Sequence, residues 1–158
     1  MPVIHAASRQ VETMETTDPC VLNRQEWISE PGGLTQFGAY IQVLAPGTRS
    51  SIKHWHTSED ELVYVLDGQV TVIEGEDEHV LGPGDAAAFP QGRPVGHYLC
   101  NRSASSVTCM IVGTRAQTDQ ITYPDHDRIL HRDRSQPEDR WTDLSGDVAE
   151  NPYQHWLP

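Results

Sequence analysis

No run of apolar residues in this 158-residue chain approaches the ~18 that a membrane helix needs, so no transmembrane helix is expected. The opening residues, MPVIHAASRQ, lack a basic stretch followed by an apolar one, and no secretory leader is expected either. Cysteine is scarce. Cys20, Cys100 and Cys109 are odd in number and show no CxxC spacing, which argues against a disulfide framework and against a thiolate zinc site. Reduced thiols in a cytoplasmic protein are the expectation. Positive charge is short as well, with 11 basic residues against 23 acidic ones and a formal net charge of −12. The densest basic stretch, Arg128 to Arg134, is interleaved with Asp127 and Asp133. A nucleic-acid binder carries a basic patch or stripe; none is here, so neither nucleic acid nor an anionic membrane is an expected partner, and the charge serves solubility. Internal repeats, low-complexity tracts and a helix-turn-helix segment are also absent.

What is present points to one β-rich domain. A chain of this length buries roughly 70% of the surface its unfolded form exposes, enough for a core without disulfides. Eleven prolines and twelve glycines imply many turns and argue against a helical bundle. Between residues 35 and 113, short runs of Val, Ile, Leu, Tyr and Thr alternate with Gly/Pro/Asp clusters, the pattern of a sandwich or barrel. Strands are predicted near 35–45, 50–56, 61–67, 69–74, 78–82, 85–89, 95–101 and 105–113, mostly antiparallel because no room remains for crossover helices. Asp67-Gly68 reads as a two-residue hairpin turn, and Gly82-Pro83-Gly84-Asp85 and Pro90 to Pro94 read as breaks. An N-terminal arm over 1–33 and a C-terminal extension over 114–158 flank a barrel over 34–113. The extension is polar yet carries Trp141, Tyr153 and Trp156. Disordered tails have few aromatics, so it is expected to be pinned to the barrel or to a partner subunit.

The chemistry-bearing stretch is Lys53-His54-Trp55-His56-Thr57-Ser58-Glu59-Asp60-Glu61. On a strand, residues i and i+2 share a face, so His54 and His56 project together and can converge on one ion. Glu61 lies at an odd offset from His56. It can face the same way only if the chain reverses through Thr57 to Asp60, which has turn composition. Val63 and Val65 then share its side, with Leu62, Tyr64 and Leu66 on the other. Glu59 is the rival carboxylate, and His97 on a later strand is a fourth candidate. Imidazoles with one carboxylate suit a divalent Fe, Mn, Co, Ni or Zn ion without choosing among them. His5, His79, His126, His131 and His155 are scattered and receive no role.

These stretches resemble the two motifs of the cupin superfamily. The first runs from Gly47 through His54-x-His56 and Glu61 to Gly68; the second runs from Gly84 through Pro90-x-Gly92 and His97 to Asn101. The first copy is one residue longer than usual before His54, and the second has a loop two residues longer at Arg93 to Gly96. Both departures fall in loops, where insertions are tolerated. The wording is most similar to small single-domain bacterial cupins of unassigned activity. The resemblance implies an all-β double-stranded β-helix, or jelly-roll, barrel with a divalent metal held by His54, His56, Glu61 and His97, and with Asn101 closing a turn. It also implies a homodimer. For function it implies a metal-dependent enzyme acting on a small organic substrate chelated to the metal, a dioxygenase first, a Lewis-acid isomerase or lyase next. A non-catalytic small-molecule sensor is the reading from another class. Tyr40 and Gln42 share a strand face and are read as ordinary packing, and Trp55 should face away from the metal. Cys100 and Cys109 invite comparison with cupin thiol dioxygenases, which lack the carboxylate that Glu61 supplies.

Overall fold

The computed structural model describes residues 2–15 and 22–155, so Cys20 and Trp156 lie outside the described residues. In chain order the strands are Gln10–Glu15 (β1), Leu22–Trp27 (β2), Phe37–Leu44 (β3), Trp55–His56 (β4), Glu61–Asp67 (β5), Val70–Glu74 (β6) and Asp77–Leu81 (β7). Then come Ala86–Phe89 (β8), His97–Cys100 (β9), Val107–Thr114 (β10), Thr118–Tyr123 (β11), Arg128–Asp133 (β12) and Arg140–Thr142 (β13). They form a six-stranded sheet β1-β2-β3-β10-β5-β8, a four-stranded sheet β13-β12-β11-β4 and a three-stranded sheet β7-β6-β9. Neighbours run antiparallel throughout. The chain is the all-β jelly roll expected. Among the described residues no helix is long and apolar enough to cross a membrane.

Strand periodicity builds the core. Along β5, Val63 and Val65 are fully buried while Leu62, Tyr64 and Leu66 are exposed. Facing strands add Leu44, Val70, Val72, Leu99, Val107 and Ile111 to the same cluster, and each fully buried Val or Leu contributes ~1.5–3 kcal/mol relative to exposure. A second cluster, Ile52, Ile121, Tyr123 and Leu130, lies under the C-terminal strands, with Trp141 and Tyr153 packed on it. Asn101, wholly buried, closes the β9–β10 connection: its amide donates to the carbonyls of Leu44 and Ser105, and its Oδ1 accepts from Ser103.

Two expectations need correcting. Asp67-Gly68 is not a hairpin, because β5 pairs with β10 and β8 while β6 pairs with β7 and β9. It is a corner that carries the chain from one sheet to another. Gly68 sits at φ +81°, and a Cβ there would lie 2.9 Å from the Ser106 carbonyl oxygen, so only glycine fits. The predicted strand 50–56 shrinks to Trp55–His56. Isolated bridges pair Arg49 with Cys100 and His54 with His97. Five steps on one side therefore span three on the other, and the two surplus residues bulge out of the ladder. A bulge re-aims the side chains that follow it, here the first histidine.

Candidate metal centre

His54 and His97 face each other across the isolated bridge that ends the bulge, joined by backbone hydrogen bonds in both directions at 3.2 and 2.8 Å. β4 then carries His56, and β5 opens on Glu61. Their ligand atoms converge: one from each of His54, His56 and Glu61 lie within 4.8 Å of one another. His97 falls outside that mutual distance, but its Nε2 is 3.8 Å from Glu61 Oε1. At that separation the contact is electrostatic rather than a hydrogen bond. His97 Nε2 is in fact a buried nitrogen without a hydrogen-bond partner. Phe89 stacks flat on the His97 ring, centroids 3.6 Å apart, and holds its plane.

The outer nitrogens of two of these rings are fixed. His54 Nδ1 donates to the Ile52 carbonyl at 2.9 Å, and His56 Nδ1 donates to Asp119 Oδ2 at 2.7 Å. With the proton on Nδ1, each ring when neutral keeps a bare Nε2, which is the form that binds a metal. Electrostatics agree. Burial pushes the His54 imidazole down to about 3, and His97 and His56 push the same way against Glu61. Burial alone would raise the Glu61 carboxyl, but the imidazoles of His97, His54 and His56 outweigh it and hold it at about 2. Burial likewise opposes a charge on His56, yet Asp119 and Glu61 raise its pKa above the ordinary value. A neutral His54, an ionised Glu61 and an orphaned His97 nitrogen fit a divalent cation: buried polar atoms without partners are rare, and these donors are the mixed N/O type such ions take.

Glu59, the rival carboxylate, is committed elsewhere. Its Oε1 accepts from the Ala116 N–H at 2.9 Å and from Arg134 at 2.8 Å. His56, Glu59 and Asp119 also form a close trio, but Asp119 is already bonded to His56 and to the Ser58 N–H, so the trio supports the ring rather than offering free ligands. Asp119 was not legible in the sequence. It lies 63 positions from His56, and only the pairing of β11 with β4 brings them together.

The centre lines a cavity of about 400 Å³. Tyr40 and Gln42 line it rather than merely packing within the sheet, beside Trp27 and Gln25 of the neighbouring strand. Burial, reinforced by the charge on Glu61, raises the Tyr40 pKa and keeps its phenol protonated. Arg115, Arg132 and Arg134 also line the cavity. Arg115 is paired with Glu30, and its guanidinium lies over Gly38, where an added Cβ would be 3.2 Å from it. Trp55 does not line this cavity, and neither Cys100 nor Cys109 does; burial raises the Cys109 thiol to about 11, leaving it inert.

Residues 40–113 match the family described as the cupin domain. A sugar phosphate isomerase of the cupin superfamily from Silicibacter pomeroyi is 31% identical with a TM-score of 0.81, over 94% of this chain and 97% of that one. A candidate sugar phosphate isomerase from Acidithiobacillus ferrooxidans is 23% identical with a TM-score of 0.80, over 94% and 96%. A predicted oxalate decarboxylase from Thermotoga maritima is 16% identical with a TM-score of 0.62, over 73% and 100%. The last two share the fold alone. Among curated proteins none matches this chain.

Proposed function

This chain belongs to the cupin superfamily, and from that premise we propose that it is a metal-dependent enzyme that isomerises a small sugar phosphate or a closely related polyhydroxylated anion. His54, His56, Glu61 and His97 would hold the divalent ion. The observation that carries the reading is the convergence of His54, His56 and Glu61, with the two fixed Nδ1 protons and His97 beside Glu61, at a cavity edged by three arginines. A bound divalent cation supplies Lewis acidity, polarising a carbonyl or stabilising an enolate.

The remaining roles belong to the chain's own residues. Guanidinium groups are suited to phosphate, and Arg115, Arg132 and Arg134 bring three of them to the lining of this cavity. Each is oriented by a carboxylate, Glu30, Asp139 and Glu59 respectively. Tyr40, held protonated, offers an O–H donor to a substrate hydroxyl or carbonyl oxygen. Gln42 and Gln25 add amide donors and acceptors along the same wall. The similarity to the Silicibacter pomeroyi isomerase over nearly the whole length of both chains favours this substrate class.

A dioxygenase, the reading favoured by the sequence, would use the same four residues with iron. The arginine-edged cavity favours an anionic polyol over an uncharged ring. Assaying metal-loaded protein with aldose phosphates, catechols and keto acids, with and without O₂, separates the readings. Oxygen-independent conversion of a sugar phosphate is the expected result. Turnover only of a catechol or keto acid with O₂ would restore the dioxygenase, and binding without turnover would favour a sensor.

A further inference from the structure

We infer that Asp119, which lies beyond the segment matching the cupin domain, is the positioning residue that dictates which ring nitrogen of His56 is presented to the metal centre. The inference rests on the metal-binding reading above and deepens it. The matching segment ends at residue 113, so the barrel motifs alone do not complete this centre.

The placement follows from strand pairing. In β11, Asp119 and Ile121 are buried while Thr118 and Gln120 are exposed, so strand alternation turns Asp119 inward. The antiparallel register sets Ile121 opposite His56, which leaves Asp119 beside the turn that follows the histidine. Its carboxylate is wholly buried and held at both oxygens. Oδ2 lies 2.7 Å from His56 Nδ1, and Oδ1 accepts the Ser58 backbone N–H at 2.8 Å.

The two partners differ in kind. The Ser58 N–H can only donate, whereas an imidazole nitrogen can present either a proton or a lone pair. A carboxylate only accepts, so His56 must carry its proton on Nδ1, and its Nε2 is left bare toward the cavity. An asparagine of the same shape would reverse this. Its oxygen would be claimed by the Ser58 N–H, its amide N–H₂ would turn to the ring, and the His56 proton would move to Nε2, closing the ligand position.

The test uses full-length protein labelled with ¹⁵N in its histidine rings. In the metal-free wild type, at a pH above the raised His56 pKa where the ring is neutral, the NMR shifts should report His56 protonated at Nδ1 and bare at Nε2; in Asp119→Asn they should report the opposite tautomer. Zn(II) affinity, measured by competition with a chromophoric chelator, should fall about 10- to 100-fold in the variant, with an unchanged far-ultraviolet circular dichroism spectrum. A wild-type His56 protonated at Nε2 would overturn the inference whether or not the variant folds, and so would wild-type Zn(II) affinity in a folded Asp119→Asn. Wild-type protein with the stated tautomer but no Zn(II) binding would instead overturn the metal reading and leave the positioning role standing.

Discussion

At the scale of single residues, the question that separates the ligand assignments is which of two neighbouring glutamates faces the histidines. Glu61→Gln should weaken divalent metal binding by more than the roughly 10–100-fold that outer-shell changes cost. Glu59→Gln should cost less, because Glu59 is already engaged by Ala116 and Arg134. Isothermal titration of both variants checks the order, and the reverse order would show that the carboxylate is misassigned. The titration of the centre gives a second expectation. His54 lies at about 3 in the fold against an ordinary 6.5, so between those values the unfolded chain binds more protons and stability falls as pH drops. Glu61, at about 2 against 4.5, adds loss in the same direction below 4.5. His56 runs the other way, its contribution being present below 6.5 and lost as pH rises through its raised folded value. Because the large shift on His54 spans this window and outweighs that on His56, metal-free protein should have a lower urea midpoint at pH 5 than at pH 7, and a midpoint that holds steady or rises would contradict this. That His54 and His56 project together was legible from the period of two, while reading them as ligands also rested on the resemblance to the cupin motifs. The orphaned state of His97 Nε2 and the Asp119 contact were not, because both depend on residues distant in the chain.

At the scale of elements, β5 shows what alternation reveals, since Val63 and Val65 turn inward and Leu62, Tyr64 and Leu66 outward as the pattern implied. Strands β1, β2 and β11 to β13 were not read as strands. All six residues of β1 are exposed, and β12, Arg-Ile-Leu-His-Arg-Asp, lacks an alternating pattern, so pairing rather than local sequence defines them. Asp67-Gly68 has hairpin chemistry but serves a sheet corner, because the strands on either side find their partners elsewhere. The bulge after Arg49 gives this scale its own prediction. The Ile52 N–H in the bulge donates to the Tyr153 hydroxyl at 3.2 Å, and the Ile52 carbonyl holds His54. Tyr153→Phe should remove about 1 kcal/mol, lowering the melting temperature by ~2–4 °C. It should also weaken metal binding modestly by loosening the His54 anchor. Calorimetry of both proteins checks it, and an unchanged melting temperature would show that the C-terminal turn does not brace the bulge.

At the scale of the whole molecule, the β5 and β10 part of one face of the six-stranded sheet carries exposed apolar side chains. Leu62, Tyr64 and Leu66 are 39%, 37% and 43% exposed. Ladder partners place Met110 beside Tyr64 and Ile41, and Val112 beside Leu62. Contiguous apolar surface of this kind marks an interaction site, and we propose a homodimer formed through it. Sedimentation should give about twice 17.7 kDa at micromolar concentration, and Tyr64→Glu should give the monomer. A wild-type monomer would contradict the proposal. The central claim is that one divalent ion sits among His54, His56, Glu61 and His97, and elemental analysis of protein purified without a metal-affinity tag tests it most directly. The account predicts close to one ion per chain in the wild type and loss of that ion in His54→Ala and His97→Ala. A wild type that neither carries nor takes up a divalent metal, or variants that keep theirs, would contradict it.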